Sequence, residues 1–443
     1  MATHLTRYPL DATAGSGYSK KWTWSGWVKR GKLGAEQGIM GNKRNDNNVN
    51  SRFKLYFRST DKLGWECKDS GGSDDSSFET NALFRDTNCW YHICFIYDSD
   101  NSTATERIKC YVNGLDVRTE YGGFSSDNQA SSGFGTLWSS AVANYLGTTG
   151  NNSGIAMQFE GCMSHCHLTY GYRYEASTFG SFDSTTGEWK INTDPSVTYG
   201  SQGYFLLKDG NSVTDQSGEG NNYTATGTLT KTEDNPSNVF ATLNPLNVPT
   251  SNAPTFANGN TTSTSSTTNG SYKWGGCTTL GMTSGKFYCE AKATVDNTYS
   301  RNVIGITGDS ANIARANGSI LNGTHSWGYY SENGTVSGNG SGDLSGWNTT
   351  YTTGDIIMMA LDLSNNKLYF GKNGTWLNSG VPTSGSTGTG AVSIIAANTT
   401  NDGVYFFAQT DDTGTDSPSK FEFNFGNGYF GTTEITTNTG TGF

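Results

Sequence analysis

The chain has 443 residues, 58 of them glycine and only 8 proline, with 15% charged side chains and a formal net charge of −10. This length sets a prior of two or three domains, enough chain to bury more than one core. No Lys/Arg-rich cluster supplies the basic footprint that nucleic-acid binding needs, and no apolar run approaches the roughly 18 residues of a membrane span. Helical chains lean on Ala, Leu, Glu and Lys, whereas this one leans on Gly, Ser, Thr, Asn and aromatics. Aromatic residues at 13% separate it from disordered chains, which are poor in them. The expected class is all-β with long Gly/Asn/Thr/Ser loops. The opening Met1-Ala-Thr-His-Leu-Thr-Arg7 lacks the apolar core of a signal peptide, so the expectation is synthesis without an N-terminal secretion signal.

The first strand pattern is Trp22-Thr-Trp-Ser-Gly-Trp-Val-Lys29, which places Trp22, Trp24 and Gly26 on one face and Thr23, Ser25 and Trp27 on the other. Gly38-Ile-Met-Gly41, Arg52-Phe-Lys-Leu-Tyr-Phe57, Leu63-Gly-Trp-Glu-Cys67 and Cys89-Trp-Tyr-His-Ile-Cys-Phe-Ile-Tyr97 follow, with turn-formers between them. Cys110-Tyr-Val-Asn-Gly-Leu-Asp-Val117 then reads as a hairpin, because Asn-Gly supplies the two positive-φ residues of a type I′ turn. Tyr145-Leu-Gly147 and the long candidate Met157 to Leu168 close this half. Ser181 to Trp189 is near the Asp-box hairpin of sialidases, but its spacing fails, so a surface turn is expected.

Residues 191–269 read as a connecting segment whose apolar positions pack on a domain, and Ser251–Gly270, nearly all Asn, Thr, Ser and Gly, reads as an exposed loop or boundary. The second half offers Gly285 to Thr294, Asn302 to Thr307, Ser326 to Tyr330 and Thr353 to Leu363. A second Asn-Gly hairpin, Tyr369-Phe-Gly-Lys-Asn-Gly-Thr-Trp376, comes next, and then Val404 to Ala408 and Lys420 to Phe425. The recurrence of strand, Asn-Gly and strand in each half points to two antiparallel sandwiches in tandem. The expected boundaries are 1–190, 191–269 and 270–443.

The first half resembles the laminin-G-like, concanavalin-A-like lectin family. Trp24-Ser-Gly-Trp-Val28, Trp90-Tyr-His-Ile-Cys-Phe95, Tyr111-Val-Asn-Gly114 and Phe159-Glu-Gly-Cys-Met-Ser164 carry the likeness over about residues 18–182. Calcium-binding members use clustered carboxylates, and the sequence places no such cluster here. The second half, about residues 270–430, resembles a SPRY domain through Gly354-Asp355, the apolar strand to Asp362, Leu368-Tyr-Phe370 and the Asn373-Gly374 turn. Together with Asp234-Asn-Pro-Ser-Asn238, this combination is similar to structural proteins of tailed phages, especially marine ones. The resemblance implies a virion-surface component (fibre, appendage or capsid decoration), homo-oligomeric and surrounded by other virion proteins, with host-surface glycans as candidate ligands.

No chemistry stands out. The Glu-x-Asp-x-x-Glu string of concanavalin-like glucanases does not occur, and Glu422 has no second acid on its strand. Asp355 and Asp362, seven apart, would face opposite sides of one strand. The five histidines are scattered, no helix is evident to follow a nucleophile elbow, and no phosphate loop is present. A non-enzyme without cofactor or metal is therefore expected. Of the eight cysteines most lie in apolar strand patterns and are read as reduced. Cys162-Met-Ser-His-Cys166-His167 approaches metal-ligand spacing, but its Cys and His pairs would face opposite sides of a strand unless a bulge intervenes.

Sugar recognition uses exposed rings beside amides. Tyr330, Trp347 and Trp376, near Asn333, Asn348 and Asn378, are the candidate ligand-binding positions, with Asn348 the amide singled out. Trp22, Trp24, Trp90, Trp274 and Trp327 are expected in cores. Asn-Gly-Ser/Thr strings at Asn317, Asn322, Asn333 and Asn373 are read as turns. The alternative functions are a polysaccharide-degrading appendage and a cellular adhesin or scaffold that holds a protein partner through the SPRY-like half.

Overall fold

The computed structural model describes residues 3–8, 18–44, 53–68, 73–138, 142–151, 154–208, 210, 212–266, 272–295, 301–316, 318–340, 343–344, 347–412 and 418–435. Asn317 and the tail of the Ser251–Gly270 stretch lie outside them. The chain divides into two compact units, Met1–Val239 and Phe240–Phe443. The segment expected to connect two domains is therefore shared between them. No helix among the described residues is long and apolar enough to cross a membrane.

The first unit runs β1 (His4–Arg7), β2 (Lys21–Arg30), β3 (Gln37–Arg44), β4 (Phe53–Phe57), β5 (Leu63–Lys68), β6 (Asp74–Thr80) and β7 (Tyr91–Asp98). It continues with β8 (Ile108–Val112), β9 (Leu115–Asp116), β10 (Phe124–Asn128), β11 (Val142–Leu146), β12 (Gly161–Tyr170), β13 (Tyr204–Leu206) and β14 (Thr224–Thr226). Two antiparallel sheets result, in the orders β10-β6-β5-β4-β3-β11-β1-β14 and β9-β8-β7-β2-β12-β13. The alternation of β2 does what its sequence dictates: Trp22, Trp24 and Val28 enter the core between the sheets, while Trp27 faces outward into a second cluster with Trp90, Cys94 and Trp189. Aromatic rings form much of this core. Trp22 stacks on Tyr97 at 5.6 Å and Trp65 on Phe95 at 4.3 Å, each such pair adding about 0.5–1.5 kcal/mol beyond simple burial.

The outer face of the six-stranded sheet is covered by two segments the sequence left as loops. Gly180–Phe182 and Trp189–Ile191 form a hairpin, closed by Asp183, whose carboxylate accepts the Thr185 and Thr186 N–H groups at 2.9 Å. Its Trp189 lies on the Asn113-Gly114 turn, where a Cβ on Gly114 would fall 2.3 Å from the ring. Asp234 is the second anchor. Its carboxylate meets the Lys29 ammonium at 2.5 Å and the Trp90 indole N–H at 2.9 Å, with Lys29 2% and Asp234 6% exposed. A lone buried ammonium would be strongly unfavourable, so the pair fixes this segment to the sheet.

The second unit runs β15 (Thr255–Ala257), β16 (Thr262–Thr264), β17 (Lys273–Cys277), β18 (Lys286–Val295), β19 (Asn302–Thr307), a short helix Ser310–Ala316, β20 (Ser326–Tyr330) and β21 (Val336–Gly338). Next come β22 (Asp343–Leu344), β23 (Ile356–Asp362), β24 (Lys367–Lys372), β25 (Thr375–Trp376), β26 (Val392–Ser393), β27 (Phe406–Asp411) and β28 (Lys420–Asn424). The larger sheet is ordered β15-β16-β28-β18-β23-β24-β25, with β26 beside β24, and the smaller β17-β27-β19-β20-β21-β22. Ile357, Met359, Leu361, Phe370, Phe421 and Phe423 face the core between them. The expected loop 251–270 is partly a hairpin here: β15 and β16 turn at Asn258 and Asn260, both at positive φ, and Thr262 pairs with Glu422.

The two Asn-Gly hairpins are built alike. Asn113 and Asn373 have φ of 47° and 49°, Gly114 and Gly374 of 78° and 84°, as a type I′ turn requires. Each Asn also clamps the preceding strand. Asn113 donates its N–H to the His92 carbonyl and accepts the His92 N–H on Oδ1, both at 2.8 Å. Asn373 does the same to Ile356, at 2.9 and 2.8 Å.

Candidate functional site

The four residues singled out for binding lie at one end of the second sandwich and on its flank. Trp347, expected in an exposed loop, is 4% exposed and packs edge-on to Phe370 at 6.1 Å. Its ring is a plug in the core and is not available for stacking, which corrects the expectation. Its neighbour Tyr351 is buried too, donating to the carbonyls of Asn302 at 2.8 Å and Tyr329 at 3.2 Å.

These two plugs hold the loop 347–355 down, so that Asn348, Thr349 and Thr350 are presented to solvent. Three neighbours brace it. The Tyr329 hydroxyl donates to the Thr349 carbonyl. Gly334, at φ 71°, has no room for a side chain because a Cβ would meet the Thr349 backbone at 2.5 Å. On the other side the Lys372 ammonium donates to the Thr350 carbonyl at 2.8 Å and lies 3.0 Å from Asp355 Oδ2. Burial raises the Asp355 pKa, but the Thr352 N–H, the Asn373 amide and Lys372 outweigh it and hold this carboxyl below its ordinary value. Asp355 is thus a brace of the loop end.

Tyr330 is half-buried at the end of β20, and its hydroxyl donates to Glu332 at 2.5 Å, with Arg301 3.3 Å from the same carboxylate. Burial, then the neighbouring carboxylate, push the phenol pKa upward. Tyr330 packs with Val303 on the outer side of the smaller sheet, the opposite face of β20 from Tyr329, which braces the Asn348 loop. Trp376 follows the Asn373-Gly374 turn but points to the outer face of the larger sheet, half-buried and edge-on to Tyr288 at 6.3 Å.

In the first unit, β12 does carry a bulge between Ser164 and His167, with His165 at φ 47°. Even so, among the described residues no group of three or more His, Cys, Asp or Glu side chains is placed to hold a metal ion. All eight cysteines are free thiols, six of them buried.

What sequence reasoning missed is the partner of Glu422. Lys292 sits directly across from Glu422 and Glu290 across from Asn424, so Glu290 and Glu422 are diagonal neighbours on one face. The signal was present in the alternation Tyr288-x-Glu290-x-Lys292, but only the β18–β28 register connects it to Glu422.

Residues 9–154 match the profile of the concanavalin A-like lectin/glucanases superfamily. No curated protein matches the chain by sequence. Among solved structures, the chain is similar to the SPRY domain of human HERC1, at 16% identity, covering 42% of this chain and 94% of that one with a TM-score of 0.30. It is also similar to a putative carbohydrate binding protein from Bacteroides ovatus, at 18% identity, covering 51% of this chain and 56% of that one with a TM-score of 0.31. A third is the CBM40 of the Ruminococcus gnavus IT-sialidase, at 16% identity, covering 39% and 95% with a TM-score of 0.27. The chain is a tandem of two antiparallel β-sandwiches, and the match to the concanavalin A-like profile falls within the first.

Proposed function

We propose that this chain is a non-enzymatic surface component of a tailed-phage particle, assembled as a homo-oligomer among other virion proteins, and that it holds host-surface glycans. The single observation that carries the binding reading is the braced loop end of the second unit. Trp347 and Tyr351 beneath and Lys372, Tyr329 and Gly334 beside it fix Asn348 and its neighbours before any ligand arrives, which lowers the ordering penalty of binding. The concanavalin A-like match over residues 9–154 supports a lectin role. The particle assignment rests on the combination of the two domain types. Mass spectrometry of purified particles tests it: the chain should appear at a fixed copy number set by particle symmetry, and its absence from washed particles would refute the assignment.

One observation favours a second reading, glycan cleavage. Glu290 and Glu422 share a face on adjacent strands as diagonal neighbours, which puts a pair of acids on one surface, the residue type that glycoside hydrolysis uses. Release of new reducing ends from host polysaccharide, abolished in Glu290→Gln, would establish it.

A further inference from the structure

The face that carries Trp376 has a composition of its own. Alternation along β18 sends Cys289, Ala291 and Ala293 into the core and Tyr288, Glu290 and Lys292 to the outer side of the sheet. Register then extends one row across five strands: Asn424 opposite Glu290, Glu290 opposite Met358, Met358 opposite Gly371, and Gly371 opposite Trp376. Four inter-strand steps make this row about 19 Å long.

The missing side chain at Gly371 seats the indole. A Cβ there would stand 3.1 Å from Trp376 Cε3 and 3.0 Å from Met358 Cε. Tyr288 sits opposite Ala360, another small residue, and its ring meets Trp376 at 70°, so the two rings form adjoining walls above an apolar floor. Loops border the row on both sides. The 377–391 loop covers Tyr369, through its hydroxyl contact with Ser384 at 3.2 Å, and Gly431 closes on Glu422. Between these borders Tyr288, Trp376, Lys292 and Asn424 remain partly accessible. Glu290, only 4% exposed, accepts the Tyr288 hydroxyl at 2.7 Å and the Asn424 amide at 3.3 Å.

We propose that this outer face, with Tyr288 and Trp376 as stacking walls, the partly accessible Asn424 and Lys292 side chains as hydroxyl-binding groups and the buried Glu290 carboxylate orienting Tyr288 and Asn424, is a seat for a neutral oligosaccharide. The proposal rests on the glycan reading above but assigns it to a different surface from the loop end. Ring faces pack on the C–H face of a sugar while a few fixed polar groups orient its hydroxyls, the usual balance of a small-molecule site. The charge selects the class. Glu290 and Glu422 are matched on this face by Lys292 and Lys420, so the row offers an anionic ligand no net positive charge, and an anion brought beside the desolvated Glu290 carboxylate would meet like charge. The Lys420 ammonium lies at the border, 3.2 Å from Glu422.

The test is calorimetric titration of the full chain with neutral gluco-, galacto-, manno- and xylo-oligosaccharides and with sialylated, sulfated and uronate counterparts. Binding of a neutral member is expected, weakened at least about tenfold in Trp376→Ala, as for a buried aromatic anchor, and largely restored in Trp376→Phe. Gly371→Ala, which displaces the indole without removing it, should weaken binding as well. Lys190→Ala, a surface change in the first unit, serves as the control. Equal melting profiles show that each variant is folded. Neutral-glycan binding that survives Trp376→Ala but is lost in Tyr330→Ala or Asn348→Ala would overturn this proposal and leave the glycan reading standing. Binding of anionic glycans alone would also overturn it, and a folded chain that binds no glycan would overturn both.

Discussion

Between pH 7 and pH 5 the unfolded chain charges imidazoles that the first unit keeps neutral when folded. His92 is fully buried. Its Nδ1 accepts the Trp189 indole N–H at 3.0 Å, so the ring proton sits on Nε2, facing Ser25 Oγ at 2.8 Å. An imidazolium would aim a second N–H at the indole N–H. Burial pulls the His92 pKa from 6.5 down to about 3. His167, 2% exposed and 3.0 Å from the Tyr199 hydroxyl, is held well below its ordinary value, by burial first and then by His165.

A depressed histidine contributes stability that is complete above the unfolded value, near 6.5, and is lost as pH falls toward the folded value. For His92 a shift of about 3.5 units at about 1.4 kcal/mol each gives on the order of 5 kcal/mol, spread over pH 6.5 to 3. Near pH 5.5 the two rings together should impose a slope of about 2–3 kcal/mol per pH unit, large beside a domain stability of about 5–15 kcal/mol. Urea unfolding at pH 7, 6, 5.5 and 5, followed by tryptophan emission, measures it, since seven of the eleven tryptophans lie in the first unit. His92→Asn should be less stable at pH 7 yet lose about half of the slope. Parallel slopes for the two proteins, or a flat wild-type profile, would refute the reasoning.

Removing the Asp234 carboxylate by Asp234→Ala leaves the Lys29 ammonium and the Trp90 N–H buried without it; denaturant titration should show a loss of about 3–5 kcal/mol. Most of that loss should return in a Lys29→Met, Asp234→Leu double variant, and strictly additive losses would contradict the pairing. Gly114→Ala combines positive φ with the Trp189 ring at 2.3 Å, whereas Gly171→Ala, at φ 87° with open space around it, isolates backbone strain, about 1 kcal/mol. The first should lower the melting temperature clearly more than the second. Burial pushes the thiols of Cys89 and Cys162 up to about 11 and those of Cys166 and Cys277 to about 12. Ellman's reagent at pH 8 should therefore label the native protein slowly and the denatured protein at once, and fast native labelling would contradict this burial.

Much of the architecture was legible because local and global signals agree. Period-two alternation sorted Trp22 and Trp24 from Trp27, and both Asn-Gly pairs marked real turns. What escaped were elements whose patterns are weak alone. Asp74–Thr80 and Phe124–Asn128 are polar strands toward one sheet edge, where little burial is demanded. Thr255–Ala257 and Thr262–Thr264 look like linker until β28 pairs with them, and the helix at Ser310–Ala316 is only two turns long. The site was less legible. Trp347 sits among polar neighbours in sequence, yet tertiary packing turns its ring inward. The meeting of Glu290 with Asn424 and Glu422 depends on a strand register between residues more than 130 positions apart.

The asparagine clamps bear on how each half begins to fold. In each unit a strand, its hairpin and the clamping turn close within about twenty residues, from His92 to Asn113 and from Ile356 to Asn373. Sequence-local closure of this kind demands little loop entropy. Each meander is thus a natural nucleus, on which the long-range strands of its own unit condense.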